Sequence, residues 1–331
     1  MPSRVSLSKL ALLATMLPAI VATGWCGAIA LAVEPSTSDT RIERLIGELA
    51  ADNYQTRAAA TSELHQLGLA ALPLLDAAQR GEPLERQYRA SEIAQAIRAS
   101  VAYEQFDTFA ALPDEALDVE QGLCLIAGIL DPRVRAEDVS KQLDAIAAQV
   151  QAKLGRAVKA NSVAPEKAVA ALCEVLFVDL KFADNEMDYS NPDNSSIERV
   201  LATRKGLPIL LGQVTVCVAR RLEIPIVGMP VPGPYLVKYD GGRAPGGRRV
   251  DDIYFDPYKQ GRSIARAELI AKYPTYTLDG SAPPGAQRST LIRVLNNLRS
   301  ALADRDDQRE QAALVELLSE RLQAYEATAT P

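Results

Sequence analysis

Residues 191–240 read NPDNSSIERVLATRKGLPILLGQVTVCVARRLEIPIVGMPVPGPYLVKYD. Ser195, with Glu198 three residues on, has the spacing of a capping box, so a helix is expected from about Ser196. Arg204 and Lys205 fall in its last turn, where cations suit the negative end of the helix dipole. Gly206 then offers a left-handed cap. Pro208 suits the first turn of a second helix. From 209 to 222 the chain is apolar on nearly every side, apart from Gln213, Thr215, Arg220 and Arg221. A helix apolar around most of its girth is central and buried. Short β-like runs follow at 226–231, 235–239 and 253–256. The segment DGGRAPGGRR, residues 240–249, joins the last two and reads as an exposed hairpin loop. One buried helix against a small antiparallel sheet is an α+β arrangement, and the helices around it make the fold predominantly helical.

Upstream, Val119, Leu123, Ile126 and Leu130 share one helical face that stops at Asp131-Pro132. Val139, Leu143, Ile146, Val150 and Leu154 form a second face, closed by Gly155. Pro165 opens a third, with Val169, Leu172, Cys173, Leu176 and Leu180 inward. Between 40 and 100, two stretches align: Arg57, Ser62, Glu63, Leu64 and Gln66 match Arg86, Ser91, Glu92, Ile93 and Gln95. A helix carrying Leu72, Leu75 and Ala78 lies between them, with Gly68 and Gly81 at its ends. The pattern resembles a short HEAT-like array, which needs about three repeats to stand alone. It is therefore expected to dock on the rest of the chain or on a partner. Downstream of a short helix after Ala265, Leu291, Leu295, Leu298 and Leu302 mark one amphipathic helix, and Leu314, Leu317, Leu318 and Leu322 another.

Arg4 and Lys9 precede an uncharged run, 10–33, that ends in small residues. This is the form of a signal peptide, and the run is also long enough to span a bilayer of about 30 Å. Residues 1–32 are thus expected to be a signal peptide or membrane anchor. The remainder is expected to be exported, periplasmic or envelope-bound, with a possible tether at 10–33. Cys124, Cys173 and Cys217 then remain, an odd number in apolar stretches that fits buried thiols.

The 331 residues carry a net charge of −6 and one histidine, His65. The acidic balance argues against nucleic-acid binding. A lone histidine rules out a metal site with two His ligands in one chain. No cofactor is implied.

Several spaced motifs follow one another along the chain. Asn191, Pro192, Asn194 and Ser195 lead to Val200, Leu201, Arg204, Gly206 and Pro208; Ala219, Arg220, Arg221 and Leu222 end the long helix; Pro232, Gly233, Leu236 and Val237 follow; then come Asp256, Pro257 and Gly261. Together they resemble the SirB-type branch of the transglutaminase-like superfamily over about 115–325. The resemblance implies a papain-like core at 105–280, after the repeats at 40–100 and before a TPR-like helical hairpin at 286–326. It also implies a cysteine starting the central helix, with a histidine and an aspartate on adjacent strands. The cysteine position falls on Pro208 and the histidine position on Pro234; only Asp256 matches.

A proline offers neither nucleophile nor base, so no catalytic residue is assigned, and Pro208, Pro234 and Asp256 mark a remnant site. Cys217 is the one nucleophile candidate on that helix, yet it lies nine residues beyond Pro208, about 13 Å along the axis. Asn191, Asn194, Arg204, Gln213 and Asp256 are the candidate binding residues. For Asp256 a local strand-end turn is the competing role, and for the two asparagines loop and cap roles. The expected function is an exported, catalytically inactive module that binds a protein or peptide. The alternative is an amide hydrolase or acyltransferase of the same superfamily with a rebuilt site.

Overall fold

The computed structural model describes residues 37–80, 82–155, 159–229, 231–247, 249–274, 276, 278, 286–303, 305 and 308–329. Residues 1–36, which include the expected leader, and Gly81 lie outside them. No helix among the described residues is long and apolar enough to cross a membrane.

Two clusters of buried side chains organise the helices. The first is built by α1 (Thr37–Glu48), α2 (Tyr54–Leu67), α3 (Leu72–Ala78) and the first half of α4 (Leu84–Ala110). Its contents, Ile42, Leu45, Leu49, Leu64, Leu75 and Ile93 among them, recur at helical spacing, so each helix buries one stripe. Gly68, at φ 56°, ends α2. Helix α4 runs unbroken through residues 100–105. Ala90, Ile93, Ala94 and Ile97 belong to the first cluster, and Phe106, Phe109 and Ala110 to the second. The N-terminal helices are therefore joined to the main body by a continuous helix.

The main core gathers α5 (Val119–Leu130), α6 (Ala136–Leu154), α7 (Pro165–Cys173), α8 (Ile197–Thr203) and α9 (Pro208–Arg221). The C-terminal α11 (Ala286–Leu302) and α12 (Arg309–Ala329) join the same core. They pack on each other as the expected hairpin and also on this core. Arg288 of α11 is fully buried and donates to Asp114 Oδ1 (2.6 Å) and to the carbonyls of Ala110 (3.0 Å) and Leu112 (2.7 Å). These bonds lock the pair onto the end of α4. In α12, Val315, Leu318 and Leu322 face inward, whereas Leu317, expected inside, is exposed.

A four-stranded antiparallel sheet in the order β1 (Ile226–Met229), β2 (Leu236–Tyr239), β3 (Ile253–Asp256), β4 (Arg262–Ile264) packs on α9. The structure is mostly helical with this small sheet, the α+β class that the sequence implies. β4 adds a strand to the three that the sequence pattern predicts. β2 alternates between two buried faces. Val237 and Tyr239 point to the main core. Leu236 and Lys238 point to a second layer with Ile264, Leu269 and Tyr273 from β4 and α10 (Arg266–Lys272) and its end.

Several local expectations change. The capping box does not form: Ser196 is the N-cap of α8 without a side-chain bond. Ser195 closes a 3₁₀ turn, Pro192–Ser195, that carries its hydroxyl into the interior without a partner. The left-handed cap is Arg204 (φ 63°), not Gly206. The third helix passes into a π turn at Glu174–Asp179, which leaves Leu180 only half-buried. Loop 240–249 is anchored at its start. Asp240 and Gly241 are buried, and the Gly241 N–H donates to Asp252 Oδ1 (2.8 Å).

Candidate functional site

Proline at the first position of α9 costs no hydrogen bond, since the first-turn N–H groups have no partner within the helix. It places the start of α9 at the foot of β2. Pro234 stands just before β2, and Asp256 ends β3. These three residues line one cleft of about 240 Å³, together with Leu236, Tyr258, Lys259, Arg262, Ile264, Glu268, Leu269, Lys272 and Tyr273. The wall is apolar and aromatic, and the remaining groups are charged.

Most of these charges have a traceable commitment. Asp256 Oδ1 accepts from the Tyr258 N–H (2.9 Å) and so caps the turn Pro257–Lys259. This is the local turn role set against ligand binding for this residue. Burial pushes its carboxyl above the usual range, partly offset by the backbone N–H groups of Tyr258 and Lys259 and by the Lys259 and Arg262 charges. Lys259 pairs with Glu186 (3.2 Å) and Arg262 with Glu268 (3.1 Å). Burial and the nearby acids Asp184 and Glu186 push the Tyr258 phenol up to about 12. The turn depends on Gly261 at φ 75°, where an added Cβ would lie 2.7 Å from Cys173 Sγ.

The other sequence candidates lie elsewhere. Cys217 is buried in the main core, and burial pushes its thiol up to about 12. The structure does not bring it to the cleft. Gln213 also faces inward, off the cleft, and its amide donates to the hydroxyl of Tyr235, which contacts Thr290 Oγ1 (3.3 Å). Tyr235 occupies a slot that exists only because Gly212 and Gly228 lack side chains. A Cβ on either would lie 2.6 Å or less from the ring or its hydroxyl. Arg293 holds the same loop through the Val231 and Gly233 carbonyls.

Asn191 caps its own turn through Asp193 N (3.0 Å). Asn194 is buried and donates to the carbonyls of Asp188 (2.7 Å) and Tyr189 (3.2 Å), while its own backbone carbonyl accepts from Leu207 N (3.2 Å). Asn194 therefore ties this turn to the entry of α9, while Asn191 shapes the turn itself. Arg204 stacks over Phe182 with its guanidinium carbon 4.8 Å from the ring centre. His65 is exposed on α2, in the other cluster of helices.

The residues missed in the sequence are Tyr258, Lys259, Arg262, Glu268, Lys272 and Tyr273. The available signal is Gly261, which suits a tight turn from β3 back into Arg262–Ile264.

A buried helix that starts beside an antiparallel sheet, with a cleft at their junction, is the α+β arrangement that the transglutaminase-like resemblance implies. Comparison with known proteins gives the same result. The family model described as transglutaminase-like superfamily matches residues 137–296. A UPF0162 protein of Xylella fastidiosa (strain 9a5c) is 32% identical over 212 residues, 60% of this chain and 70% of that relative. Another, from strain Temecula1, is 34% identical over 150 residues, 42% of this chain and 50% of its own length. The human F-box only protein 21 is 26% identical over 235 residues, 65% of this chain and 37% of that protein. The matches thus span half of one UPF0162 relative and about a third of the F-box relative. No solved structure matches the chain. Residues 137–296 form a transglutaminase-like superfamily domain, and the chain belongs with the UPF0162 proteins.

Proposed function

We propose that this protein is an exported, catalytically silent member of the SirB-type branch, with a HEAT-like N-terminal segment, that binds a peptide or protein segment in the cleft at the start of α9. The observation that carries the reading is the cleft lining: Pro208 and Pro234 stand where the superfamily resemblance would put a thiol and an imidazole. The chemistry of the described cysteines agrees. Cys124, Cys173 and Cys217 all have thiols pushed up to about 12, chiefly by burial. What remains is an apolar, aromatic recess with charges at its mouth, the composition of a recognition site. Residues 1–33 supply the export reading.

The deciding experiment offers the folded full chain an iodoacetamide probe and, separately, a library of labelled peptides. Negligible labelling at Cys124, Cys173 and Cys217, with peptide binding abolished by Pro234→Arg, is the expected result. Rapid selective labelling of Cys217, with an amidase activity lost in Cys217→Ser, would replace this reading with the hydrolase or acyltransferase one. Fractionation and N-terminal sequencing test export and cleavage.

A further inference from the structure

Among the described residues of the cleft, Lys272 has no carboxylate partner and Tyr273 has a buried hydroxyl without a hydrogen bond. The acids of the cleft are engaged: Asp256 Oδ1 caps the Pro257–Lys259 turn and Glu268 pairs with Arg262. Lys259 is engaged by Glu186. Lys272 is exposed, and among the described residues no carboxylate pairs with it; its ammonium lies 5.5 Å from the centre of the Tyr273 ring. Tyr273 is 8% exposed, and its hydroxyl is buried without a hydrogen-bond partner. Such an orphan donor is costly and is normally satisfied by something that binds beside it. The same cleft opens at the first residue of the 14-residue helix α9, the positive end of its dipole. Three cations line this recess on a chain whose net charge is −6.

From these groups we infer that the cleft seats a carboxylate of a peptide, an acidic side chain or a C-terminal carboxylate, on Lys272 and the Tyr273 hydroxyl. The inference rests on the peptide-binding reading above and names the ligand's chemistry. The apolar part of the peptide lies against Pro208, Pro234 and Leu236. The carboxylate gains charge-assisted hydrogen bonds from an ammonium and a phenol, the stronger kind of polar contact. An ammonium-bearing peptide would instead meet Lys272, Lys259 and Arg262.

The test measures fluorescence anisotropy of the full chain with three labelled glycine-serine peptides of equal length, each with one leucine. One carries an internal glutamate and an amidated end. One carries glutamine and a free C-terminal carboxylate. One carries glutamine and an amidated end. At least one of the first two should bind about ten-fold more tightly than the third, and which one does so identifies the source of the carboxylate. Lys272→Gln should erase that preference and Tyr273→Phe should reduce it about three-fold, with binding of the uncharged peptide unchanged. Equal binding of all three overturns the carboxylate inference and leaves peptide binding standing. Binding of none overturns both. A preference that survives Lys272→Gln also overturns the inference.

Discussion

The two ends of helix α9 are built in opposite ways. At its C-terminus Arg220 and Arg221 both reach Glu120 (2.7 Å each), and Arg220 also meets Asp118 (2.7 Å) and Arg221 meets Asp144 (2.5 Å). Glu120 is nearly buried, and the Glu120 and Asp144 carboxylates raise the Arg221 pKa. This end ties α5, α6 and α9 into one unit. At its N-terminus a proline meets a second proline across an open recess whose nearby ion pairs are exposed and weak. One end commits its charges to holding the fold, while the other leaves an open recess lined by charges in exposed pairs. The A-R-R-L motif belongs to the first kind and the Pro208–Pro234 pair to the second.

The comparison can be broken most severely at Glu120. Glu120→Ala leaves Arg221, only 15% exposed, without its main partner, and should cost about 3–5 kcal/mol in urea unfolding. A comparable lesion sits under the cleft. Lys238 and Asp252 form a buried pair at 2.8 Å, and the Asp252 carboxylate also accepts from the Gly241 N–H and the Tyr254 hydroxyl. Burial alone would raise the Asp252 pKa, but these partners outweigh it and hold it below the ordinary 3.8. Its contribution is therefore complete above that value and is lost as pH falls through the lower folded-state pKa. Asp252→Asn should lower stability at neutral pH and flatten the acid limb of a stability-against-pH curve. Tyr235→Phe removes only a hydroxyl, and should cost about 1–2 kcal/mol because Gln213 and Thr290 lose a buried partner.

The mildest change sharpens the contrast between the two ends. Pro208→Cys should leave the unfolding free energy within about 1 kcal/mol, since this position needs no N–H bond. The introduced thiol sits at a helix N-terminus and should react with iodoacetamide far faster than Cys217. Equal, slow labelling of the two thiols would show that the cleft is closed to small molecules in solution.

Patterns set by local chemistry were readable in the sequence. The girth of apolar residues marked α9 and Pro208 marked its start; Pro208, Pro234 and Asp256, which line one cleft, were grouped by the family resemblance and not by local pattern. Features set by distant neighbours were not. Ser195 and Glu198 have capping-box spacing, but the preceding 3₁₀ turn packs against α11 and takes Ser195 inward. Arg288 reads as an ordinary surface arginine until Ala110, Leu112 and Asp114 fold against it. Gln213 reads as a polar residue available to a cleft until Tyr235 claims it. The strand at Arg262–Ile264 is only three residues long, too short for alternation to register alone.

Helix α4 has a mechanical consequence. Its 27 residues make a rod about 40 Å long with one end cemented in each cluster of helices. A cargo held by the N-terminal helices would keep a fixed bearing toward the cleft, as on a bracket, and a load applied there would reach the main body as torque on Phe106 and Phe109.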